Sequence, residues 1–427
     1  MSKLKLKYGK KEKEIYFSGK SPMERLTPLS RPTENFKNII EKALDNPLAS
    51  PPLEKIVEPG ETVCIIISDL TRSWQKIDCF LPLIIERLNQ AGIDDQSISI
   101  IIATGTHRSH SIKEKKKLVG SDIYKRCKII DHDCRDKKQL SYLGRTSLGT
   151  PVEVNKTALN ADKLILTGGI VFHDLAGWSG GRKSIVPGIA SYEAIMKNHS
   201  LALAERELGG IKDEVRCANF DNNPVHKDME EAIDMIKPDF ILNVIPGQEK
   251  NIGAAVAGHY RKAHRQGCKI VKKRFSVNIN KKADLVIASC GGYPKDINLY
   301  QASKSLINAA RAVRDGGYII LLAECSEGIG NPEVKEILQE YTDNYSREKS
   351  LRNNFSISRY SGFLITTTIE NKNLILISNI NKDILNQTKI NLNNNLEKAL
   401  KNSTNELPDN YYTYIMPEAA NTLPIKI

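Results

Sequence analysis

The sequence predicts an α/β fold with two domains, each built on a mostly parallel sheet flanked by helices. Three observations support this prediction. Short, continuously apolar runs of strand length recur along the chain and alternate with longer, helix-like stretches. The same pattern starts again after a basic stretch at residues 269–274. The 427 residues, 40% of them apolar, exceed what one ordinary core needs and are enough for two.

The first series of elements predicts a sheet of buried strands joined by helices. The strands are Val63–Ile67, Ile98–Ala103, Leu164–Leu166 and Phe240–Val244, and the intervening helices include Cys79–Ala91 and His226–Ile236. Strands that are apolar throughout, with no alternation, are typical of parallel sheets covered on both faces. This order of elements therefore indicates repeated βαβ units.

The second series predicts another sheet further along the chain. It comprises Ala283–Ser289, a helix at Ala302–Arg314, Tyr318–Ala323, and the later apolar runs Phe363–Ile369 and Leu374–Ile377. We place the boundary near residues 268–278, which gives an N-terminal domain at 1–270 and a C-terminal α/β domain at 271–405. The tail at 406–427 contains the apolar stretch Tyr411–Met416 and is expected to return to the first domain.

Composition restricts the class of protein. No apolar run approaches the roughly 20 residues of a membrane helix, and the Lys-rich start lacks the apolar segment of a signal peptide. We therefore expect a cytoplasmic protein that does not bind membranes. The eight cysteines include no CxxC pair, so reduced thiols are expected rather than disulfides or a zinc site.

The net charge of +12 raises the alternative of a nucleic-acid-binding protein. Much of the excess is Lys spread through helical and tail segments, with no aromatic interleaving and no nucleic-acid motif. The same positive charge can also attract a small anionic substrate and a phosphorylated cofactor, without nucleic-acid binding. We therefore expect no nucleic-acid partner.

Unusual polar residues follow the predicted strands. The segments are Ser68–Arg72 after the first strand, Thr104–His107 after the second, Gly168–His173 after the third, and Gly291–Tyr293 after the first strand of the second domain. Open parallel sheets bind ligands outside the carboxyl ends of their strands. The cleft between the two domains is therefore the predicted active site.

The segment Gly168–His199 contains the highest density of candidate functional residues in the sequence. Its SGGRKS stretch resembles a degenerate phosphate loop, but it lacks the GxxxxGK spacing of a nucleoside triphosphatase. Glycine-rich backbone at Gly180 and Gly181 could still cradle one phosphate. A helix is predicted to begin near Ser191, a good N-cap, which would place His199 two turns into it.

At this point the sequence resembles a known family, the nickel-dependent lactate racemases. The resemblance is carried by ordered motifs: Asp69-Leu70-Thr71-Arg72, Thr104-Gly105-Thr106-His107-Arg108, His173 with Ala176–Lys183, Pro187-Gly188-Ile189, Asn198-His199, and Asn298–Lys304. It extends from about Leu4 and fades beyond about Glu324.

The resemblance implies a nickel pincer nucleotide, a pyridinium mononucleotide that holds nickel through one carbon and two sulfurs. By the family's pattern, His199 completes the metal plane and Lys183 forms a thioamide link to the cofactor. Imidazole and a planar arrangement both suit Ni(II). Asp69 matches a cofactor contact, plausible for ribose hydroxyls. Enzymes that build the cofactor are then implied partners.

The resemblance also implies a racemase or epimerase of a small anionic 2-hydroxy acid. His107 and His173 match the general acid/base residues, one for each face of the substrate, which fits the near-neutral pKa of imidazole. Removal of the hydroxyl proton while hydride leaves to the cofactor gives a flat 2-oxo acid that can be reduced on either face. Arg72 matches the residue that grips the substrate carboxylate through two parallel hydrogen bonds.

In the second domain, the resemblance assigns three residues of one helix, Tyr300, Gln301 and Lys304, to the substrate pocket. The alternative for them is the surface of an ordinary amphipathic helix.

Two departures from the family pattern flank the expected pocket. Asp174-Leu175 stands where aromatic residues are expected, and Ser73-Trp74 follows Arg72 in place of Pro. Both predict a substrate larger or more polar than lactate. The other functions left open are a His-dependent hydrolase or dehydratase on the same scaffold and a non-catalytic nucleotide-binding protein.

Overall fold

The computed structural model describes residues 2–17, 22–29, 34–247 and 251–427. Across these ranges the strands are β1 (Ser2–Tyr8), β2 (Lys11–Phe17), β3 (Met23–Arg25), β4 (Val63–Ser68), β5 (Ile98–Ala103), β6 (Lys128–Asp131), β7 (Leu140–Arg145), β8 (Pro151–Asn155), β9 (Lys163–Gly169), β10 (Phe172–His173), β11 (Gly177–Trp178), β12 (Phe240–Pro246), β13 (Ile252–Gly258), β14 (Ser276–Ile279), β15 (Ala283–Ser289), β16 (Val313–Leu322), β17 (Asn373–Ile377), β18 (Ile390–Asn393), β19 (Thr413–Met416) and β20 (Leu423–Lys426).

The helices in the same ranges are α1 (Phe36–Asp45), α2 (Ile77–Gln90), α3 (Ile112–Val119), α4 (Ser121–Arg126), α5 (Lys156–Leu159), α6 (Tyr192–Ser200), α7 (Pro224–Ile236), α8 (Tyr260–Phe275), α9 (Leu299–Ala312), α10 (Pro332–Gln339), α11 (Asn344–Asn353), α12 (Ile357–Thr368) and α13 (Leu396–Asn405). Short 3-10 helices at Leu70–Gln75 and Gly181–Ser184 belong to the candidate site.

The chain divides into two compact units. The N-terminal unit holds the described residues of Ser30–Ala202 and Lys212–Lys273, and the C-terminal unit holds those of Met1–Leu29, Leu203–Ile211 and Arg274–Ile427. The main division thus falls at Lys273/Arg274. We assigned two segments, 1–29 and 203–211, to the first domain by their position in the chain, but their described residues belong instead to the second unit.

The N-terminal unit is built on a sheet of order β13-β12-β9-β4-β5-β6. All its neighbouring strands are parallel except the β12–β13 pair. β4 lies centrally between β9 and β5, and its first five residues are buried, which explains its continuously apolar sequence. Side chains of α1 and α2, including Ile40 and Phe80, pack with those of β4 and β5 in one core.

The C-terminal unit is built on a parallel sheet of order β18-β17-β16-β15-β19-β3. One apolar cluster packs α9 against this sheet, and a second contains Leu6 and Ile15 of the β1–β2 hairpin with Ile287 of β15. The hairpin therefore lies with this unit because its apolar side chains are buried there. The predicted fold class, α/β with parallel-dominated sheets flanked by helices, is confirmed.

The expected return of the C-terminal tail to the first domain is wrong. β19 inserts between β15 and β3 in the second sheet, and β20 pairs in parallel with β14. All four residues of β19 are buried, so the tail completes the core of its own unit. The earlier run at Phe363–Ile369 falls mostly in α12, whereas Leu374–Ile377 is a strand as its composition suggests.

The segment 203–211 is held within the C-terminal unit by α11. Glu348 accepts a hydrogen bond from the Gly210 amide at 3.0 Å, and Arg352 donates to the Ala204 carbonyl at 2.9 Å. Glu348 is buried and pairs with Arg352 at 2.6 Å. Among the described residues, none of the helices has the length and apolar character required to cross a membrane.

Candidate active site

The site is assembled by loops that follow three adjacent parallel strands of the N-terminal unit. β4 has β9 on one side and β5 on the other, so their carboxyl ends meet at one edge of the sheet. Asp69 follows β4, His107 lies four residues after β5, and His173 lies four residues after β9. The sheet order therefore brings together side chains that are far apart in sequence.

Asp69 and His107 form a direct pair. The His107 Nδ1 lies 2.5 Å from Asp69 Oδ2, and Asp69 Oδ1 accepts from the Thr71 hydroxyl at 2.6 Å. Burial acts to raise the pKa of the Asp69 carboxyl, but the hydrogen bonds from His107 and Thr71 outweigh this and lower the pKa. The ionised carboxylate thus holds a proton on His107 Nδ1 and leaves Nε2 with its lone pair.

This pairing adds to the role predicted for Asp69. The sequence suggested a cofactor contact, whereas the structure has both carboxylate oxygens bonded to protein groups. Each oxygen retains a further lone pair, so a ribose contact stays a prediction. The role that the structure itself supports is orientation of the His107 ring, whose side chain is 50% exposed.

Arg72 is the third residue of the 3-10 helix Leu70–Gln75, which begins directly after Asp69. Its guanidinium is exposed and donates to the Thr71 hydroxyl at 3.1 Å, and its amide donates to the Asp69 carbonyl at 3.0 Å. An exposed guanidinium at the edge of a parallel sheet can bind a carboxylate through two N–H groups. Arg72 and His107 are thus both tied to Asp69.

The glycine-rich segment after β9 folds back as the short hairpin β10–β11 and continues into the 3-10 helix Gly181–Ser184. Arg182 is buried, and its guanidinium donates to the carbonyls of Ala176 at 2.7 Å and Trp178 at 3.0 Å. The loop is therefore fixed from within by its own arginine. Its neighbour, Lys183, projects to the site.

Both glycines of this turn are required by the backbone. Gly180 has φ +72° and Gly181 has φ +57°. A Cβ on Gly181 would lie 2.7 Å from the His264 ring, and one on Gly180 would lie 2.7 Å from Asn243 Oδ1.

The predicted phosphate cradle needs a correction at Gly181. Its amide already donates to Asn243 Oδ1 at 2.9 Å, so this N–H is not available to a phosphate. Asn243 is a fully buried residue of β12, and nothing in the local sequence marks it as a partner of the glycine turn.

His173 and Lys183 are in contact. Lys183 Nζ lies 3.2 Å from His173 Nε2, while His173 Nδ1 accepts from the amides of Leu175 at 3.2 Å and Ala176 at 3.4 Å. Because Nδ1 accepts, the neutral ring carries its proton on Nε2 and donates it to the uncharged amine. Asp174 Oδ1 lies 3.3 Å from the same Nδ1.

The electrostatics around Lys183 favour its uncharged form. Burial lowers the pKa of Lys183 to about 7, and the positive charges of Arg182 and Arg72 act in the same direction. Asp174 opposes this shift but does not reverse it. Lys183 is therefore an amine with substantial nucleophilic character near neutral pH.

His199 lies on α6, which begins after the N-cap Ser191 as predicted. The ring is buried, and its Nδ1 donates to the Ile195 carbonyl at 2.9 Å, which leaves the Nε2 lone pair for another partner. Burial lowers the pKa of His199 to about 3, with the charge of Lys183 acting in the same sense. A neutral imidazole with its other nitrogen bonded to a carbonyl is the form that binds metals.

The three candidate substrate residues of the second domain lie on α9 of the C-terminal unit. Asn298 caps this helix by accepting from the Gln301 amide at 2.9 Å, and Lys304 donates to the Gln301 side chain at 3.0 Å. Tyr300 is half-buried against the core of that unit. Their assignment to the substrate stays a prediction.

Sequence reasoning missed another histidine, His110, whose ring accepts from the Leu70 amide at 3.2 Å and contacts Asp131 at 2.7 Å. No local motif marks it. In the described part of the chain, no three His, Cys, Asp or Glu side chains form a cluster suited to a metal ion.

Comparisons with known proteins agree with this arrangement. The lactate racemase N-terminal domain family matches residues 8–209, and the lactate racemase C-terminal domain family matches residues 278–422. The lactate racemase of Thermoanaerobacterium thermosaccharolyticum is 37% identical over 307 residues, covering 72% of this chain and 70% of that protein. The lactate racemase of Lactiplantibacillus plantarum is 36% identical over 304 residues, with coverages of 71% and 70%.

Solved structures show the same relationship. The apoprotein of the Thermoanaerobacterium thermosaccharolyticum lactate racemase matches with a TM-score of 0.89 and 30% identity, covering 99% of this chain and 100% of that one. A protein from Thermotoga maritima, 17% identical, matches with a TM-score of 0.64 over 93% of this chain and all of its own, and so shares the fold.

Fold, site and relatives together define an α/β enzyme of the isomerase class. More narrowly, the chain belongs to the lactate racemase family. The resemblance inferred from the sequence motifs is confirmed.

Proposed function

We propose that this enzyme interconverts the two enantiomers of a 2-hydroxy acid at its C2 carbon, using a nickel pincer nucleotide. The observation that carries the proposal is the 3.2 Å contact between His173 Nε2 and Lys183 Nζ. It brings a candidate acid/base group against the amine predicted to hold the cofactor. Family membership supplies the reaction class, and the site supplies the residues.

The chain's donor set fits the cofactor. Lys183 provides a partly buried amine whose pKa is lowered to about 7, and His199 provides a neutral imidazole nitrogen. One imidazole does not hold nickel alone, so the remaining ligands would come from the organic group linked to Lys183. When bound, this group would supply an electron-deficient carbon suited to reversible transfer of the C2 hydrogen with its electron pair.

The two histidines would accept and return the hydroxyl proton. Their hydrogen bonds place the proton of the neutral ring on different nitrogens. His107 donates from Nδ1 to Asp69, so its Nε2 can take the hydroxyl proton of one enantiomer as a general base. His173 accepts at Nδ1 from two backbone amides, so a proton lies on Nε2. To return a proton to the oxygen of a flat 2-oxo acid from its own side, the ring would take up a second proton from solvent on Nδ1, 3.3 Å from Asp174 Oδ1, and then give up the Nε2 proton. The neutral ring left behind has its proton on Nδ1, so its Nε2 can act as the base in the reverse direction.

Arg72 would bind the substrate carboxylate. Its side chain is exposed and its position is fixed through the Asp69–Arg72 turn. A carboxylate held on two N–H groups allows the C2 carbon to present its hydrogen on either face without release of the substrate.

Asp174 suggests a substrate more polar than lactate. Its carboxylate lies 3.3 Å from the ring of His173, where the family pattern has an aromatic residue. A carboxylate there repels a second acidic group and accepts hydrogen bonds from hydroxyl groups. We therefore favour a 2-hydroxy acid with a further hydroxyl group over one with a purely apolar side chain.

The setting proposed for the enzyme is the cytoplasm, together with the enzymes that build the cofactor. All eight cysteines lie in the described residues and are free thiols, as expected for a reducing compartment.

The test is production of the protein with and without cofactor-building enzymes, followed by intact mass, nickel analysis and chiral assay of several 2-hydroxy acids. We expect a mass adduct on Lys183, about one nickel per chain and racemisation only in the loaded sample. Lys183→Ala serves as the matched control. A hydrolase or dehydratase activity independent of nickel would contradict the proposal, as would a loaded protein that leaves both enantiomers unchanged.

A further inference from the structure

A second histidine–aspartate pair lies three residues beyond the first. His110 precedes α3, and its Nε2 accepts a hydrogen bond from the Leu70 amide at 3.2 Å. Leu70 is the first residue of the 3-10 helix that carries Arg72. An amide in the first turn of a helix has no acceptor within that helix. His110 therefore supplies the acceptor that this turn lacks.

The other ring nitrogen of His110, Nδ1, also has a hydrogen-bond partner. Because Nε2 accepts, Nδ1 carries the proton of the neutral ring and donates to Asp131 Oδ1 at 2.7 Å. Asp131 is the last residue of β6, and its Oδ2 accepts from the His110 amide at 3.3 Å and from Lys115 Nζ at 2.7 Å. The His110 side chain is only 5% exposed.

These contacts form a chain from the sheet edge to the catalytic loop. Lys115 holds Asp131, Asp131 holds the ring and tautomer of His110, and His110 holds the Leu70 amide. Asp69, on one side of Leu70, binds the His107 ring, and Arg72 lies two residues to the other side. A shift at Leu70 would thus move both groups.

We propose that His110, fixed by Asp131 and Lys115, is a positioning residue that sets the Asp69–Arg72 turn and thereby aligns His107 with Arg72. His110 does not touch substrate in this account. It acts through the backbone of Leu70, and the kinetic part of its test rests on the proposed racemase function.

Two substitutions separate the hydrogen bond from mere packing. His110→Phe fills a similar volume but has no acceptor for the Leu70 amide. His110→Gln keeps an acceptor, because its Oε1 can occupy the place of Nε2. Lys115→Met tests the outer end of the chain, and Lys117→Met, an exposed lysine on the same helix, is its matched control.

The first readout needs no cofactor. In the apoprotein, amide hydrogen exchange of a peptide spanning 69–72 should rise by about tenfold or more in His110→Phe, as expected for loss of a partly buried hydrogen bond, and stay near wild type in His110→Gln. The ring nitrogens of His107, one of eight histidines in the chain, should shift in 15N NMR spectra of His110→Phe only.

The second readout is kinetic and uses the loaded enzyme. We expect KM for the accepted hydroxy acid to rise by about tenfold in His110→Phe because Arg72 is displaced, with rescue in His110→Gln, a smaller rise in Lys115→Met and none in Lys117→Met. If His110→Phe does not fold, His110→Gln, Lys115→Met and Asp131→Asn decide the same question.

The outcomes distinguish the proposal from the function on which it rests. Unchanged exchange at 69–72 and unchanged His107 signals in His110→Phe would overturn the positioning role. Altered exchange with wild-type KM and kcat would overturn it as well. If the loaded wild-type enzyme racemises nothing, the proposed function fails, while the exchange and NMR results still decide whether His110 sets the turn.

Discussion

Lys183 should react as an amine at a pH where ordinary lysines are protonated. Burial among positive charges lowers its pKa from 10.5 to about 7. At pH 7 about half of Lys183 would be uncharged, compared with about one molecule in 3,000 for a lysine at its ordinary pKa. The uncharged amine is the nucleophile, so this difference should appear directly in its reactivity.

The assay is reductive methylation of the apoprotein at a series of pH values from 6 to 9, with the modified fraction of each lysine measured by mass spectrometry. We expect labelling of Lys183 to be half-maximal near pH 7 and to level off above about pH 8. Lys197, an exposed lysine on α6, is the internal control in the same samples. An amine at the ordinary lysine pKa gains reactivity through pH 9. A Lys183 profile that follows Lys197 across the range would refute the reasoning.

Charge substitutions make the same prediction sharper because they act in opposite directions. Arg72→Gln removes a positive charge that lowers the pKa of Lys183, so the midpoint of labelling should move to higher pH. Asp174→Asn removes a negative charge that raises this pKa, so the midpoint should move to lower pH. Shifts in the same direction would show that the local charges do not control the amine.

Three further predictions test individual roles. His199→Ala should lower the nickel retained by the loaded protein while leaving its circular dichroism unchanged. His132→Ala, at another buried histidine of the same unit, is the control and should retain nickel. Equal metal content in the two variants would show that His199 is not a ligand. Arg72→Lys should reduce kcat/KM by about tenfold or more, because an ammonium cannot reproduce the two-point grip of a guanidinium, and an unchanged value for every accepted acid would contradict this role. His107→Ala and His173→Ala should each block full racemisation, yet in single-turnover experiments they should oxidise opposite enantiomers; equal rates with both enantiomers in both variants would leave the two histidines without separate faces.

Local sequence was sufficient to predict the strands that are buried on both faces. β4 and β5 were predicted within one residue because strands buried on both faces are apolar throughout. α9 was predicted to begin at Ala302 but begins at Leu299, because the Asn298 side chain caps the helix at the Gln301 amide. An apolar run alone does not distinguish a buried strand from a buried helix, which explains the helix at Phe363.

Long-range pairing accounts for what the sequence did not predict in the fold. β19 joins its sheet through β15, whose residues lie more than a hundred positions earlier, and the N-terminal hairpin packs with the last unit rather than the first. Neither choice is encoded by local propensity. Both are decided by which apolar faces remain uncovered once the sheets have formed.

In the candidate site, too, local sequence predicted some features, whereas others depend on long-range pairing. Placement of His107 and His173 at strand ends followed from the motifs and the parallel topology. The Asp69–His107 pair spans 38 positions, and its existence depends on β4 and β5 being neighbours. The Asn243 contact that occupies the Gly181 amide spans 62 positions and arises only from the β9–β12 pairing.

The most direct test of the central claim is the fate of the hydrogen on C2 during racemisation in D2O. In our account the histidines move only the hydroxyl proton, and the C2 hydrogen leaves and returns with its electron pair. Racemised product formed by the loaded enzyme should therefore retain protium at C2, as measured by mass spectrometry or 1H NMR. Incorporation of one deuterium at C2 per inversion would show that the hydrogen leaves as a proton, and would contradict the account.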